Sequence, residues 1–227
     1  TCLRDLNLAR AQLIPSGAWP ATVERFAKHW SAWKQDTGRL DFADLIEYAA
    51  DLDSPIPVRA LFVDEAQDLD RLEMRLARRW AEQADVLTVV GDADQAIFTW
   101  RGADPKVMSE PAIEDRFCRV LSQSYRLPRS VHAAASKWIA QIKDRPAIEY
   151  RPRDDDGVTQ LHDATLNYPH RLIAEAQANA LAGRSVMILA TCSRMLDGLK
   201  AELKRLGIPF ANRYRRRRAD WNPLYAP

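Results

Sequence analysis

Apolar positions recur at helical spacing in the first third of the chain. Val23, Phe26, Ala27, Trp30 and Trp33 fall on one stripe. Gly38 stops that helix. Phe42, Leu45, Ile46 and Ala49 repeat the pattern in a shorter helix, with Asp41 placed to cap it. Pro55-Ile56-Pro57 then forces a loop. The pattern changes at Arg59. Arg59-Ala-Leu-Phe-Val63 and Asp85-Val-Leu-Thr-Val-Val90 are short apolar runs without polar alternation. Between them Leu69, Leu72, Leu76 and Trp80 are spaced for a helix. Strand, helix, strand with both strands apolar throughout is the pattern of a buried parallel sheet.

A third apolar run, Cys118 to Leu121, leads into a helix from about Ser130 to Ile142. Pro146, Pro152 and the turn Asp154-Asp155-Asp156-Gly157 make a loop-rich connection. Val158 to Leu161 reads as a strand, and Leu172, Ile173, Ala176 and Ala180 mark a helix. Val186 to Ala190 reads as another strand. Met195, Leu196, Leu199, Leu203 and Leu206 mark the last helix, with Gly207 at its C-cap and Pro209 beyond. The expected class is α/β, with a lobe boundary near residue 117. Trp19, Trp30, Trp33, Trp80 and Trp138 fall on apolar helix faces or near helix ends and are expected to pack in the core.

Composition narrows the class further. The 227 residues are 47% apolar and 28% charged, which is globular rather than disordered. No apolar run approaches the roughly 18–20 residues of a membrane helix. Cys2, Cys118 and Cys192 are odd in number and far apart, so they make no disulfide framework or zinc motif. A reducing, cytoplasmic setting is expected. The four histidines show no ligand spacing. The net charge is +2, but five arginines crowd into Arg213-Tyr-Arg-Arg-Arg-Arg218. Without them the balance is acidic, so the basic character is local. That cluster reads as a solvated tail, as a set of DNA phosphate contacts or as a localisation signal.

Candidate chemistry gathers at the strand ends. Val63 is followed by Asp64-Glu65-Ala66-Gln67-Asp68. Ligands of open α/β sheets sit beyond the carboxyl ends of the strands. Two adjacent acids there suit a magnesium–nucleotide site, one holding the hydrated ion and the next activating water. They could equally cap the following helix, a role that falls to Asp70 with Glu73. The next strand opens into Gly91-Asp92-Ala93-Asp94-Gln95, whose Gln95 amide could reach a phosphate beside Asp64. Phe98 and Trp100 follow in a polar loop, as core or as platforms for stacked bases. Ser124-Tyr125-Arg126 pairs an aromatic ring with a guanidinium, a combination that can stack on a purine and bind its phosphates.

Taken in this order, the three segments resemble the superfamily 1 helicases of the UvrD/Rep type. Asp64-Glu65-Ala66-Gln67-Asp68 is similar to that family's Walker B motif. Gly91 to Gln95 through Trp100-Arg101-Gly102-Ala103 is similar to the motif coupling nucleotide to DNA. Ser124-Tyr125-Arg126 is similar to the motif opening its second RecA-like lobe, with Ser124 where asparagine is usual. Leu40-Asp41-Phe42-Ala43-Asp44-Leu45-Ile46 matches an upstream signature, and Ile188 to Phe210 resembles a later strand–helix–strand segment. The likeness spans roughly residues 30–212.

The resemblance implies parts of two RecA-like P-loop NTPase lobes with parallel sheets flanked by helices. Residues 1–117 would be the rear part of the first lobe with its preceding helices, 118–212 the opening part of the second, and 213–227 an arginine-rich tail. It implies Mg²⁺ on Asp64, water activation by Glu65 and γ-phosphate sensing by Gln95. Tyr125 would stack on adenine and Arg126 would act as an arginine finger. Trp100 and Phe98 would meet single-stranded DNA, with Arg101 on DNA phosphate or in a structural ion pair. ATP and Mg²⁺ are the implied cofactors, and single-stranded DNA the implied partner.

One departure weighs on activity. None of the eight glycines is followed by lysine, so the phosphate-cradling G-x-x-x-x-G-K-[ST] loop is not in the sequence. The family places that loop upstream, and further DNA-contacting motifs downstream. The expectation is therefore a helicase or translocase, 3′ to 5′ by resemblance, whose 227-residue segment alone is inactive. The alternative is a non-catalytic DNA-binding or regulatory module derived from the same fold. Trp221 and Tyr225 would pack against a further domain.

Overall fold

The computed structural model describes residues 1–52, 56–143, 145, 148–161, 168–212 and 220–224. Pro55 of the expected loop, Pro146, the arginine cluster and Tyr225 lie outside the described residues. The chain divides into two compact units, Thr1–Asp155 and Asp156–Pro227. Residues 118–155 are thus grouped with the first unit, and not with the second.

The first unit begins with three helices. α1 (Cys2–Ala11) buries Leu6, Ala9 and Ala11. α2 (Ala21–Thr37) ends at Gly38, whose φ of 61° is the left-handed cap that glycine adopts without a Cβ penalty. α3 (Phe42–Ala50) starts in a capping box: Asp41 accepts from the Asp44 N–H while the Asp44 side chain accepts from the Asp41 N–H. The three helices meet over an ion network. Arg10 bonds Asp41 at 3.1 Å and Asp44 and Glu47 at 2.7 Å. Lys34 bonds Asp41 at 2.8 Å and Asp44 at 2.5 Å. The Trp30 indole donates to Asp41 at 2.9 Å. Burial alone would raise the carboxyl of Asp41, but Lys34, Trp30, the Asp44 N–H and Arg10 outweigh it and hold the group far below its usual range.

The strands pair in parallel as expected, but the sheet is not buried, since Phe62, Val86 and Leu87 are exposed. β1 (Ala60–Val63) and β2 (Val86–Val89) pair in parallel, Ala60 opposite Val86 through Val63 opposite Val89. α4 (Arg71–Ala81) connects them, and the predicted Asp70–Glu73 capping box is present. Ala66, Met74 and Val107 are buried together, with Val63, Leu69, Ala77, Val89 and Met108 packed around them. Bonding between the strands continues past their ends. Val90 N–H donates to Val63 O at 2.8 Å and Ala66 N–H to Val90 O at 2.9 Å. The loop after each strand therefore starts beside the other. α5 (Arg129–Ile139) closes the described helices of this unit.

Burial pushes the Asp70 carboxyl up to about 6. A folded-state pKa above the unfolded one favours the protonated acid, so this group stabilises the fold at low pH. That contribution is present below about 4 and lost as pH rises through about 6. Asp70→Asn removes the buried charge and keeps a good N-cap. Its expected effect is a gain on the order of 1 kcal/mol at pH 7 that vanishes near pH 4, read from denaturant midpoints at the two pH values.

The second unit contains α6 (His170–Leu181) and α7 (Asp197–Arg205). Ile173, Leu199 and Leu203 form its core, with Ile188, Ile208 and Phe210 against them. Gly207 caps the helical segment at φ 70°. Trp221 pairs with Phe210 through two N–H···O bonds of 2.9 Å, with the rings stacked at 6.2 Å. It thus has a partner inside its own unit, and not only a surface for another domain.

Two expected strands do not form. Val158 to Leu161 and Val186 to Ala190 have no regular secondary structure and no ladder partners among the described residues. Leu161 is 100% exposed, and Met187 and Leu189 are mostly exposed. An apolar run becomes a strand only when a neighbour takes its backbone groups, and none of the described residues does. The α/β class holds, with the described parallel sheet confined to the first unit. Trp138, expected in the core, is 74% exposed on α5.

Candidate active site

The acids emerge where β1 ends. Asp64 is exposed, and its Oδ1 accepts from the Glu65 N–H at 2.9 Å. Glu65 takes a left-handed backbone, φ 51°, which is uncommon for a residue with a side chain. The short turn Ala66–Asp68 follows and buries Ala66 and Gln67. Asp68 Oδ1 is buried without a hydrogen-bond partner among the described residues.

A chain of side-chain bonds starts at Glu65. Gln67 Nε2 donates to Glu65 Oε2 at 2.7 Å. Gln67 Oε1 accepts from the Asp92 N–H at 3.0 Å. Asp92 Oδ1 accepts from the Asp94 N–H at 3.0 Å, and Asp92 Oδ2 accepts from Gln95 Nε2 at 2.6 Å. Glu65 and Gln95 are thus joined through two intermediates. Gly91 makes the close approach possible: a Cβ there would lie 2.5 Å from Met108 Sδ and 2.6 Å from Gln67 Oε1.

Trp100 sits on the turn Thr99–Arg101 and is 73% exposed. Its ring is presented to solvent, as a stacking platform requires. Phe98 is half-buried, and the Arg101 guanidinium lies 5.0 Å over its ring. Arg101 therefore covers Phe98 in a cation–π contact. Tyr125 is 87% exposed and Arg126 is exposed beside it. Their turn is held by Ser124, whose buried Oγ accepts from the N–H groups of Arg126 and Leu127 at 3.2 and 3.0 Å. A serine does the local bonding at a position where asparagine is usual. Among the described residues no hydrogen bond or ion pair joins this turn to Asp64, Glu65 or Gln95. The structure thus brings three of the expected hydrolytic residues together and leaves Tyr125 and Arg126 projecting into solvent.

Sequence reasoning missed the linking groups, Gln67 and Asp92. It also missed Arg145, which bonds Asp94 at 2.7 Å and ties the segment after α5 to the Gly91–Gln95 loop. The donor set fits hydrated magnesium. Asp64 offers an exposed hard oxygen at a strand end, and no cluster of three or more metal-binding side chains occurs among the described residues. Mg²⁺ at nucleotide sites needs one or two carboxylates, with water and phosphate supplying the rest.

Residues 16–114 match the model of the UvrD/REP helicase N-terminal domain. This segment is similar to the N-terminal domain of the UvrD/Rep helicases. The similarity extends to individual members. The chain is 32% identical over 130 residues to the ATP-dependent DNA helicase PcrA of Bacillus subtilis, covering 52% of this chain and 18% of that protein. It is 34% identical over 119 residues to the ATP-dependent DNA helicase UvrD2 of Mycobacterium bovis, covering 48% and 17%. PcrA of Staphylococcus epidermidis is 32% identical over 117 residues, covering 47% and 16%. The chain spans less than a fifth of the length of these UvrD/Rep relatives. No helix among the described residues is long and apolar enough to cross a membrane.

Proposed function

We propose that the protein carrying this chain is an ATP-dependent DNA helicase or translocase that moves 3′ to 5′ on single-stranded DNA. The observation that carries this reading is the bonded series Glu65–Gln67–Asp92–Gln95 across two adjacent parallel strand ends. It lies in a segment similar to ATP-dependent DNA helicases.

In this reading Asp64 holds Mg²⁺, which when bound neutralises charge on the β- and γ-phosphates. Glu65 accepts a proton from the water whose oxygen attacks the γ-phosphorus. The bond to the bridging oxygen breaks, and ADP leaves with that electron pair. Gln95 meets the γ-phosphate by exchanging its bond to Asp92. Tyr125 stacks on adenine, and Arg126 reaches the phosphates when the second lobe closes. Trp100 stacks on a base, with Phe98 beneath Arg101 supporting it. Tracking along DNA follows from opening and closing of the two lobes.

The test is ATP turnover by the intact natural protein with and without a single-stranded oligonucleotide. The expected result is turnover that rises with DNA. DNA binding indifferent to nucleotide, with no turnover, is the result of the regulatory-module alternative. The 227-residue chain alone is expected to show no useful turnover. It lacks the phosphate-cradling loop, and each lost phosphate or oxyanion donor costs on the order of 10²–10³ in rate.

A further inference from the structure

We infer that Gln67 is a positioning residue for hydrolysis, its amide fixing the Glu65 carboxylate and tying it to the loop that carries Gln95. This rests on the reading of Glu65 as the group that activates water. Gln67 is 2% exposed. A buried amide is costly unless both its ends are bonded, and here both are. Its N–H₂ end meets Glu65 Oε2 at 2.7 Å, and its oxygen meets the Asp92 N–H at 3.0 Å. No other natural side chain of this length offers a donor at one edge and an acceptor at the other.

Two features give the amide more than a packing role. Glu65 leaves its strand through a left-handed backbone, so its direction is set by a single tight turn plus whatever holds the carboxylate. Gln67 supplies that hold. The other end of the amide grips the backbone next to Gly91, at a closeness that only glycine permits. Asp92 then bonds Gln95, and the same loop runs on to Trp100. Displacement of the loop by DNA or by the γ-phosphate is transmitted through one rigid amide to the carboxylate that takes the proton. The coupling of DNA contact to hydrolysis runs through Gln67.

Gln67→Glu and Gln67→Met in the intact natural protein test this, with Glu65→Gln as the reference. Gln67→Glu keeps an oxygen for the Asp92 N–H and sets a second carboxylate against Glu65. Its kcat is expected to fall on the order of 10–100-fold, with the KM for ATP and the affinity for single-stranded DNA within about threefold of wild type. Gln67→Met loses both bonds at similar volume and is expected to show the same fall in kcat with KM again little changed. Combined with Glu65→Gln, Gln67→Glu adds no further loss, since the group it orients has gone. Should Gln67→Met fail to fold, Gln67→Glu alone carries the test. Unchanged kcat in Gln67→Glu, with Glu65→Gln inactive, overturns this inference and leaves the helicase reading intact. A parallel fall of kcat, ATP affinity and melting temperature also overturns it, because that is mere loss of structure. Turnover retained by Glu65→Gln overturns the reading of Glu65 itself.

Discussion

On the proposed reading, replacing Glu65 by glutamine in the intact protein is expected to stop ATP turnover while ATP and DNA binding persist. The substitution removes the proton acceptor and almost nothing else. Glutamine has the same length, and its carbonyl oxygen can still accept the bond from Gln67 Nε2 that Glu65 Oε2 accepts. Asp64, one residue back on the strand end and the proposed Mg²⁺ ligand, keeps its own carboxylate. The expected fall in kcat is therefore that of losing a general base held in place, on the order of 10²–10⁴. Single-turnover hydrolysis measured beside equilibrium nucleotide binding separates the two steps. Near-normal turnover with normal binding removes Glu65 from its role.

The second large effect concerns stability, and it lies far from the chemistry. Arg10→Met removes the guanidinium that bonds Asp41, Asp44 and Glu47. Three carboxylates then share the half-buried space with Lys34 alone. Breaking one side of a buried ion network costs about 3–5 kcal/mol, because the remaining charges lose their partner without regaining water. That is a large fraction of the stability of an ordinary domain. The helical part of the first unit is expected to unfold at markedly lower denaturant concentration, and far-UV circular dichroism reads the midpoint. The pH dependence has a definite sign. Asp41 and Asp44 are both held below their usual range, so their contribution is fully present above about 4 and is lost as pH falls through the folded-state values. The wild-type chain loses stability in acid, and Arg10→Met, already without the bonds, loses less. Equal acid sensitivity in both would place the acid-labile contacts elsewhere.

The parts legible in the sequence were those written in local pattern. α2 and α3 follow from apolar spacing, and the Asp70–Glu73 box from two residues three apart. β1 and β2 were readable because a fully apolar run beside a helix has few other uses. The runs at 158–161 and 186–190 look the same on paper and do not pair, because a strand is a property of two segments and its neighbour is not in its own letters. Asp64, Glu65 and Gln95 were visible as acids and an amide at strand ends. Gln67 was hidden between acids as a spacer, and only the close packing of Gly91 shows that it faces the next loop. Arg10 was hidden for the opposite reason: its three acidic partners lie on another helix and its cap. Ser124 shows how chemistry can survive a change of letter, since its hydroxyl takes both N–H groups of the following turn.

The pairing of β1 with β2 sets a condition on assembly itself. Val63 lies opposite Val89, and that match decides that Glu65 faces the loop after Gly91. A slip of one residue would slide the acids about 3.3 Å along the neighbouring strand and turn alternate side chains to the other side of the sheet. Gln67 would then lose the Asp92 N–H, and the bonded series from Glu65 to Gln95 would be broken. On the proposed reading, misaligned molecules of the intact protein would form an inert subpopulation instead of a slower one. The active fraction of a refolded sample of that intact protein would count the molecules whose four residue pairs had closed in step.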